Sequence, residues 1–310
     1  SLSHEQVERP VFLPLPETEE VIWFSERSGW GHLYLYDLKT GKLKYPLTEG
    51  EWLVRNILHC DIQRRELFLQ TAARDSNINP YYRDICRLNI DTRNLIPLAT
   101  GNYEHVAFDQ NEMHVTAVSS LGLEQADTCG VSSSGNYLVA TRSRVNTLPV
   151  SLLINRDGRE IMALETADPV GLPEDWTWPE PIKLKSADGQ TDLYGVIYRP
   201  PGSSPEYQYP VLDFSNAHPG CSFVPHAAFT SGAFFGDAYL MGAAYAALGF
   251  VVVAIETPGM PKRQKAFQDA SYGRIASVNH FHDRIAGLQQ LAKNYSEIDL
   301  DRVGIVGYDG

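Results

Sequence analysis

The sequence predicts an all-β region followed by an α/β region, and two observations support this division. Through residues 20–167, short segments rich in β-branched and aromatic side chains alternate with tight polar turns. After a proline-rich stretch, residues 182–310 alternate between apolar strands and segments with helical spacing. At 310 residues the chain is long enough for two domains, because single hydrophobic cores seldom grow beyond about 250–300 residues.

One hairpin pattern occurs three times in the first region. Its first copy spans residues 21–47, where two strands, a Lys-Thr-Gly turn and a returning strand follow one another. Related copies span residues 85–98 and 152–164, and apolar strands at 66–70 and 137–140 precede them. Units of about 40–50 residues with four strands each are typical of propeller blades. The pattern therefore predicts a partial β-propeller over residues 1–168, with about three blades.

Three blades are too few to close a ring, because propellers typically have about four to eight. We therefore expect the chain to begin inside a propeller, and we interpret residues 114–135 as an extra strand and loop that lengthen the third interval. An open antiparallel sandwich remains the alternative, because the repeats are degenerate.

The composition changes at residues 169–181, where four prolines accompany Trp176 and Trp178. This composition is typical of a linker between domains. Beyond it we expect strands at 182–185, 193–198, 210–214, 250–255 and 303–306, and helices at 238–248 and from Ser277 onward. The apolar face of the second helix is predicted to comprise Phe281, Ile285, Leu288 and Ala292.

The last strand leads into Gly307, Tyr308, Asp309 and Gly310. In an α/β-hydrolase, a strand followed by such a glycine-flanked turn is the nucleophile elbow. Residues 182–310 are thus predicted to be the first half of an α/β-hydrolase domain, ending at its elbow. A sheet that stopped at this strand would leave an edge and a core face uncovered, so we expect further chain downstream.

Several segments together resemble the prolyl oligopeptidase clan of serine peptidases, in its dipeptidyl-peptidase IV-like branch. They include Ser25-Glu-Arg-Ser-Gly-Trp-Gly-His-Leu-Tyr-Leu-Tyr-Asp37, Leu193-Tyr-Gly-Val-Ile-Tyr-Arg-Pro-Pro201 and Ile298-Asp-Leu-Asp-Arg-Val-Gly-Ile305. Shorter matches occur at 248–253, 265–267, 269–273 and 285–291. The resemblance implies a β-propeller joined to an α/β-hydrolase domain and cleavage of short peptides after a proline-like residue.

In that branch a serine attacks the peptide carbonyl, with a histidine as base and an aspartate that orients it. The resemblance implies an oxyanion hole made by the backbone N–H of Gly310 and by a tyrosine hydroxyl from the loop after the 210–214 strand. The triad acid and histidine are expected beyond Gly310, and the glutamates that hold the substrate amino terminus are expected before residue 1. The resemblance also implies a homodimer formed through the hydrolase domain.

The sequence departs from the family pattern at three positions of the expected site. Asp309 stands where the serine is expected, Ser215 or Asn216 stands at the tyrosine position, and Pro258 replaces the arginine of the loop after the 250–255 strand. We interpret Asp309 mainly as the mark of an inactive pseudo-peptidase, because several catalytic positions differ together. The alternatives are an Asp309 carboxylate nucleophile and a serine replaced deliberately to trap substrate.

Composition and charge limit the classes of partner that we expect this protein to bind. The net charge of −12 argues against nonspecific nucleic-acid binding, and the sequence has no apolar run long enough for a transmembrane helix. No apolar signal segment is visible near residue 1. The sequence therefore fits a cytoplasmic protein as well as a periplasmic or secreted protein whose signal peptide has been removed. The four cysteines lack paired metal spacing, and we expect free thiols, no metal and no cofactor.

Three further groups are given structural interpretations. His218 and His226 have no ligand partners at short spacing and are interpreted as loop histidines. Lys262, Arg263 and Lys265 are interpreted as a solvated basic loop. The polar stretches 25–32 and 74–82 are interpreted as turns.

Overall fold

A computed structural model of the chain describes residues 12–107, 130–216, 222–229, 238–273 and 281–308. The described residues form three four-stranded antiparallel sheets and one five-stranded mixed sheet. The fold is therefore β plus α/β, as the sequence predicts.

Each four-stranded sheet is a meander in which strands that follow one another in the chain pair antiparallel. The first contains β1 (Phe12–Leu15), β2 (Glu20–Ser25), β3 (His32–Asp37) and β4 (Leu43–Pro46). The second contains β5 (Leu53–Asp61), β6 (Glu66–Ala72), β7 (Arg83–Asn89) and β8 (Leu95–Ala99). The third contains β9 (Glu104–Val106), β10 (Tyr137–Arg144), β11 (Thr147–Asn155) and β12 (Glu160–Thr166).

The repeated hairpin pattern corresponds to the last three strands of each sheet, and the first strand of each sheet was not predicted. Strand β5 was missed because two register shifts, between Val54 and Asn56 and between Ile57 and His59, disrupt its alternation. Strand β9 has three residues, too few to show a period. Most of the extra strand predicted within 114–135 lies outside the described residues.

The three sheets stack face to face in chain order, as blades of a propeller do. One core lies between the first two sheets, where Ile22, Leu33 and Leu35 pack with Leu67 and Leu69. A second core joins the second and third sheets, and it includes Phe68, Ile85, Leu138, Leu152 and Ile154.

A buried ion-pair network also joins the second and third sheets. The Glu66 carboxylate accepts hydrogen bonds from Arg87 of its own sheet and, at 2.5 Å, from Arg156 of the next. Arg87 in turn donates to the Arg156 carbonyl at 3.0 Å. Because every charge in this network has an opposite partner, the cost of burying Glu66 is offset.

The five-stranded sheet has the order β13-β14-β16-β15-β17. Its strands are β13 (Glu180–Lys185), β14 (Asp192–Tyr198), β15 (Tyr209–Asn216), β16 (Val251–Glu256) and β17 (Ile298–Tyr308). Strand β15 pairs in parallel with both β16 and β17, whereas β14 is antiparallel to its neighbours. All six residues of β16 are buried, as its continuous apolar run predicts.

The described residues of this region form three α-helices: α1 (Ala238–Ala247), α2 (Lys265–Asp269) and α3 (Phe281–Asn294). Gly249, with a φ of 97°, follows the end of α1 and has the left-handed backbone that often ends a helix. Among the described residues, no helix combines the length and apolar character needed to cross a membrane.

The predicted apolar face of α3 is right for Leu288, which is buried, and for Ala292, which packs against the core, but wrong for the other two residues. Phe281 and Ile285 are 44% and 51% exposed, and the buried residues of the helix are Arg284, Gly287, Leu288 and Leu291. The helix is turned this way because Arg284 forms a buried ion pair with Asp213 of the sheet. The absence of a side chain at Gly287 also lets Ile255 approach the helix closely. Ser277, the predicted N-cap, lies outside the described residues.

Two turns of the propeller-like sheets contact the α/β region. The Tyr239 hydroxyl on α1 donates to the Val145 carbonyl at 2.9 Å, and the Ala228 amide donates to the Ser143 hydroxyl at 3.1 Å. The Lys265 amide donates to the Gly29 carbonyl at 2.8 Å. The predicted domain boundaries, with a partial propeller at 1–168, a linker at 169–181 and a hydrolase domain at 182–310, stay a prediction.

Two of the four cysteines, Cys60 and Cys86, fall within the described residues, and both are free thiols. Burial raises the pKa of the Cys60 thiol to about 11, and the neighbouring Asp61 carboxylate acts in the same direction. Cys60 is therefore a protonated, poorly nucleophilic thiol at neutral pH. Cys129 and Cys221 lie outside the described residues.

Candidate active site

The candidate site lies where the ends of β15 and β17 meet. The two strands are parallel neighbours, so their carboxyl ends lie at the same edge of the sheet. Ser215 pairs with Gly307, and Asn216 pairs with Tyr308. The structure thus brings together the predicted oxyanion-loop positions Ser215 and Asn216 and the predicted elbow positions Gly307 and Tyr308. Asp309 and Gly310 lie outside the described residues.

Gly307 is required by the close approach of these two strands. A Cβ atom at position 307 would lie 2.1 Å from the Ser215 carbonyl oxygen and 3.1 Å from its carbon. The neighbouring contact is backbone, so a side chain could be accommodated only by moving the strands apart. The glycine that opens the elbow pattern therefore sets the distance between the two parts of the site.

Arg284 holds the end of β15 immediately before Ser215. Its Nε donates to Asp213 at 2.7 Å, and its terminal nitrogens contact the other Asp213 oxygen, the Phe214 carbonyl at 3.1 Å and the Ile255 carbonyl at 3.2 Å. The side chains of Arg284 and Asp213 are 5% and 4% exposed. One guanidinium therefore joins β15, β16 and α3 directly behind the candidate site.

Glu256 holds the segment that follows the 217–221 stretch. Its side chain is fully buried at the end of β16. The Oε1 atom accepts hydrogen bonds from the Ser222 hydroxyl at 2.6 Å, the Phe223 amide at 3.0 Å and the Val224 amide at 3.1 Å. Burial raises the pKa of the Glu256 carboxyl, while these three donors and the nearby Lys262 charge oppose that shift.

The propeller-like sheets contribute a buried aromatic contact to the same region. Tyr81, from the 74–82 turn, is 1% exposed, and its ring stacks on His226 with a centroid distance of 5.0 Å and an angle of 11°. Burial lowers the pKa of His226 well below its ordinary value, and the charges of Lys262, Arg55 and Arg83 act in the same direction. His226 is therefore neutral at physiological pH and serves as a packing partner.

The prediction of a solvated basic loop is wrong for Arg263. Its guanidinium lies 5.7 Å from the ring centroids of both Tyr81 and Tyr194 and 4.6 Å from that of Phe267. It also donates to the Asp192 carbonyl at 3.2 Å. A planar guanidinium packs favourably on aromatic faces, so Arg263 joins the second blade-like sheet to the α/β sheet. The adjacent tyrosines 81 and 82 were the sequence signal that could have predicted this contact.

Pro258, at the predicted arginine position, lies in the turn after β16. Proline has no backbone N–H and no polar side chain, so this position offers no hydrogen-bond donor. The turn is held instead by the Gly259 amide, which donates to the Phe267 carbonyl at 2.6 Å. His218 lies outside the described residues. Within the described ranges, no cluster of three His, Cys, Asp or Glu side chains could hold a metal ion.

Comparison with known families gives two matches. Residues 4–124 match the dipeptidyl peptidase IV (DPP IV) N-terminal region, and residues 236–308 match the prolyl oligopeptidase family. The chain is a dipeptidyl-peptidase IV-like member of the prolyl oligopeptidase family. The resemblance predicted from the sequence is thereby confirmed.

Individual relatives cover different parts of the chain. Dipeptidyl peptidase 8 of Homo sapiens is 36% identical over 141 residues, which are 46% of this chain and 15% of that protein. Dipeptidyl peptidase 4 of Trichophyton tonsurans is 24% identical over 295 residues, which are 94% of this chain and 34% of that protein. The chain thus spans about a third or less of the length of these family relatives.

The fold also matches a solved structure of the family. A Bacteroides ovatus protein assigned as a dipeptidyl aminopeptidase IV superposes with a TM-score of 0.70 at 23% sequence identity. The match covers 98% of this chain and 41% of that one. Both the propeller-like sheets and the α/β sheet therefore belong to the shared fold.

Proposed function

We propose that the protein binds short peptides at the carboxyl edge of its five-stranded sheet, as a dipeptidyl-peptidase-like protein, and that with Asp309 in place it does not hydrolyse them. The observation that supports this most directly is the register of β15 and β17, in which Ser215 lies opposite Gly307. That pairing brings the oxyanion-loop positions beside the strand that leads to Asp309. The relatives, by their names, are dipeptidyl peptidases.

The loss of hydrolysis follows from the charge at position 309. A serine hydroxyl attacks a peptide carbonyl and leaves a negative charge on its oxygen, which nearby N–H donors stabilise. A carboxylate at that position repels the developing oxyanion and is a weak nucleophile toward an amide. Aspartate also tolerates the left-handed backbone that an elbow requires better than most residues. The turn can therefore be kept while its chemistry is lost.

The test compares the full-length protein with its Asp309→Ser variant on Xaa-Pro-p-nitroanilide substrates and simple esters. We expect the parent protein and the Asp309→Ala control to be silent. Nitroaniline release by the Asp309→Ser variant would show that Asp309 alone prevents hydrolysis, and silence of that variant would show that the altered tyrosine and arginine positions prevent it as well. Calorimetry with an Xaa-Pro dipeptide should detect binding by both the parent protein and the Asp309→Ser variant. Absence of any binding would contradict the proposal.

A different outcome would favour a carboxylate nucleophile. If the parent protein turns over substrate and Asp309→Asn abolishes that turnover, Asp309 itself attacks the substrate. If only the Asp309→Ser variant is active, the remaining machinery is intact, and the aspartate alone blocks or traps the reaction.

The resemblance also supports a homodimer formed through the hydrolase domain. Sedimentation equilibrium of the full-length protein should give twice the monomer mass, and a concentration-independent monomer would contradict this part of the proposal.

A further inference from the structure

Two buried charged side chains hold the chain on either side of residues 217–221. Arg284 binds the strand that ends there, through the Asp213 carboxylate and the Phe214 carbonyl. Glu256 binds the segment that begins at Ser222, through one hydroxyl and two backbone amides. The two residues come from different elements: Arg284 belongs to α3, and Glu256 is the last residue of β16.

We propose that Glu256 and Arg284 are positioning residues that hold Phe214–Ser215 and Ser222–Val224 in place beside the elbow strand β17. This inference rests on the function proposed above and assigns two further residues to the same site. Neither side chain needs to touch the peptide, because each acts through backbone groups that it binds directly.

The contacts of Arg284 position the ends of two strands and do not act only by stabilising the fold. A buried ion pair contributes little net stability, because desolvation of both charges offsets their attraction. An apolar pair of similar volume could fill this space, yet it could not bind the Phe214 and Ile255 carbonyls that Arg284 contacts at 3.1 and 3.2 Å. What the guanidinium adds is a fixed relation between the ends of β15 and β16, one residue before Ser215.

The contacts of Glu256 are equally specific. A single carboxylate oxygen receives three donors from consecutive residues, Ser222 to Val224. Removing that acceptor would leave two buried amides without a partner, at a site where Phe223 and Val224 are 6% and 1% exposed. The segment would then shift to find new acceptors. A shift of about 1 Å or less is enough to misplace groups that stabilise a transition state.

The first experiment measures amide hydrogen exchange in the full-length parent protein, with Asp309 unchanged. Glu256→Met removes the acceptor at similar volume, and we expect the Phe223 and Val224 amides to exchange at least about tenfold faster. Glu256→Gln keeps one carbonyl oxygen and should restore most of the protection. If the Met variant does not fold, Arg284→Lys replaces it and is measured at the amides of residues 214–216, because lysine cannot reach all of the arginine's acceptors.

Glu297→Gln is the matched control. Glu297 is also a buried carboxylate of this region, 7% exposed, and it accepts a hydrogen bond from Arg199 at 2.9 Å. It lies near the amino end of β15, where its carbonyl binds the Tyr209 amide. Its replacement should leave exchange at Phe223 and Val224 unchanged. Unchanged exchange in Glu256→Met would overturn the proposal.

The second experiment uses the Asp309→Ser background and separates positioning from simple folding. We expect Glu256→Met to lower kcat by about tenfold or more and to leave KM within about twofold. The reason is that misplaced groups weaken stabilisation of the transition state more than binding of the substrate. Glu256→Gln should recover most of kcat, and Glu297→Gln should match its parent. Faster exchange with unchanged kcat would mean that the contact is structural only, and it would overturn the positioning role.

Failure of the proposed function would be recognised separately, as absence of dipeptide binding by the parent protein, because amide exchange needs no ligand. If Asp309→Ser hydrolyses nothing, the affinity for an Xaa-Pro dipeptide replaces kcat as the readout. Faster exchange together with at least about tenfold weaker binding in Glu256→Met would still support positioning. Faster exchange with unchanged affinity would overturn it.

Discussion

At the scale of single residues, glycines allow neighbouring strands of the five-stranded sheet to approach each other closely. Gly307 permits β15 and β17 to approach, and Gly195 does the same for β14 and β16, where a Cβ would lie 2.3 Å from the Ala254 carbonyl oxygen. In both cases the obstacle is backbone, which cannot rotate away as a side chain can. These glycines therefore serve strand packing rather than backbone flexibility.

Gly307→Ala should lower the free energy of unfolding by about 2–3 kcal/mol, because the added methyl group overlaps the Ser215 carbonyl. Urea unfolding followed by tryptophan fluorescence would measure the change. Gly171→Ala is the matched control, since a Cβ there meets no atom within 4 Å. Equal effects of the two substitutions would contradict the steric argument.

Asp84 on β7 predicts a dependence of stability on pH. Burial raises the pKa of its carboxyl to about 6 from 3.8, although the Arg74 charge opposes the shift. Between these values the folded Asp84 carboxyl binds more protons than the unfolded one, so its contribution to stability falls as pH rises from about 4 to about 6. Asp84→Asn should remove this slope and add about 1–2 kcal/mol at pH 7. Parallel unfolding curves at pH 4, 5, 6 and 7 would test it, and an unaltered slope would contradict it.

At the scale of elements, polar contacts decide how neighbouring sheets and helices are oriented. The blade-like sheets are joined by apolar cores, but Glu66 also connects β6 to the turn after β11 through Arg156. In the α/β region, Arg284 turns α3 so that a charged residue, not Phe281, faces the sheet. Such buried ion pairs are costly to break one partner at a time.

Glu66→Gln should therefore destabilise the protein by about 2–4 kcal/mol, because it removes the charge that balances Arg87 and Arg156. Glu160→Gln is the control, since its pair with Arg142 is largely exposed at 52% and 37%. That substitution should cost no more than about 0.5 kcal/mol. Thermal or urea unfolding of the two variants would show whether burial makes the difference, and equal losses would show that it does not.

At the scale of the whole molecule, the propeller-like sheets and the α/β sheet meet through a few directed contacts. Arg263 packs on aromatic rings from both regions. The Tyr239 hydroxyl and the Ser143 hydroxyl each bind backbone across the same boundary. These contacts join the two regions through side chains that bind specific groups, so they fix how the two regions pack against each other.

Tyr239→Phe should weaken this boundary by about 1–2 kcal/mol, because the Val145 carbonyl loses its donor in a buried setting. We expect the α/β region to unfold at lower denaturant concentration than the propeller-like region, which would appear as a broadened or split transition. Tyr207→Phe, at a position that is 66% exposed, serves as control. A single transition that coincides with that of the parent would contradict the expectation.

Local pattern was enough to predict the fold class and the strands that lead to the elbow, and the resemblance of several segments to a known family predicted the family. Neighbouring residues determine the hairpin turns, the alternation of apolar and polar side chains, and the buried run of β16. These features can therefore be predicted from the sequence. Strand β5 was missed because its bulges disturb the period, and β9 because it is short. The rotation of α3, the stacking of Arg263 on Tyr81 and the anchoring by Glu256 depended on partners distant in the chain. Only tertiary structure could decide these, because burial and charge pairing are properties of where distant segments meet and not of local sequence.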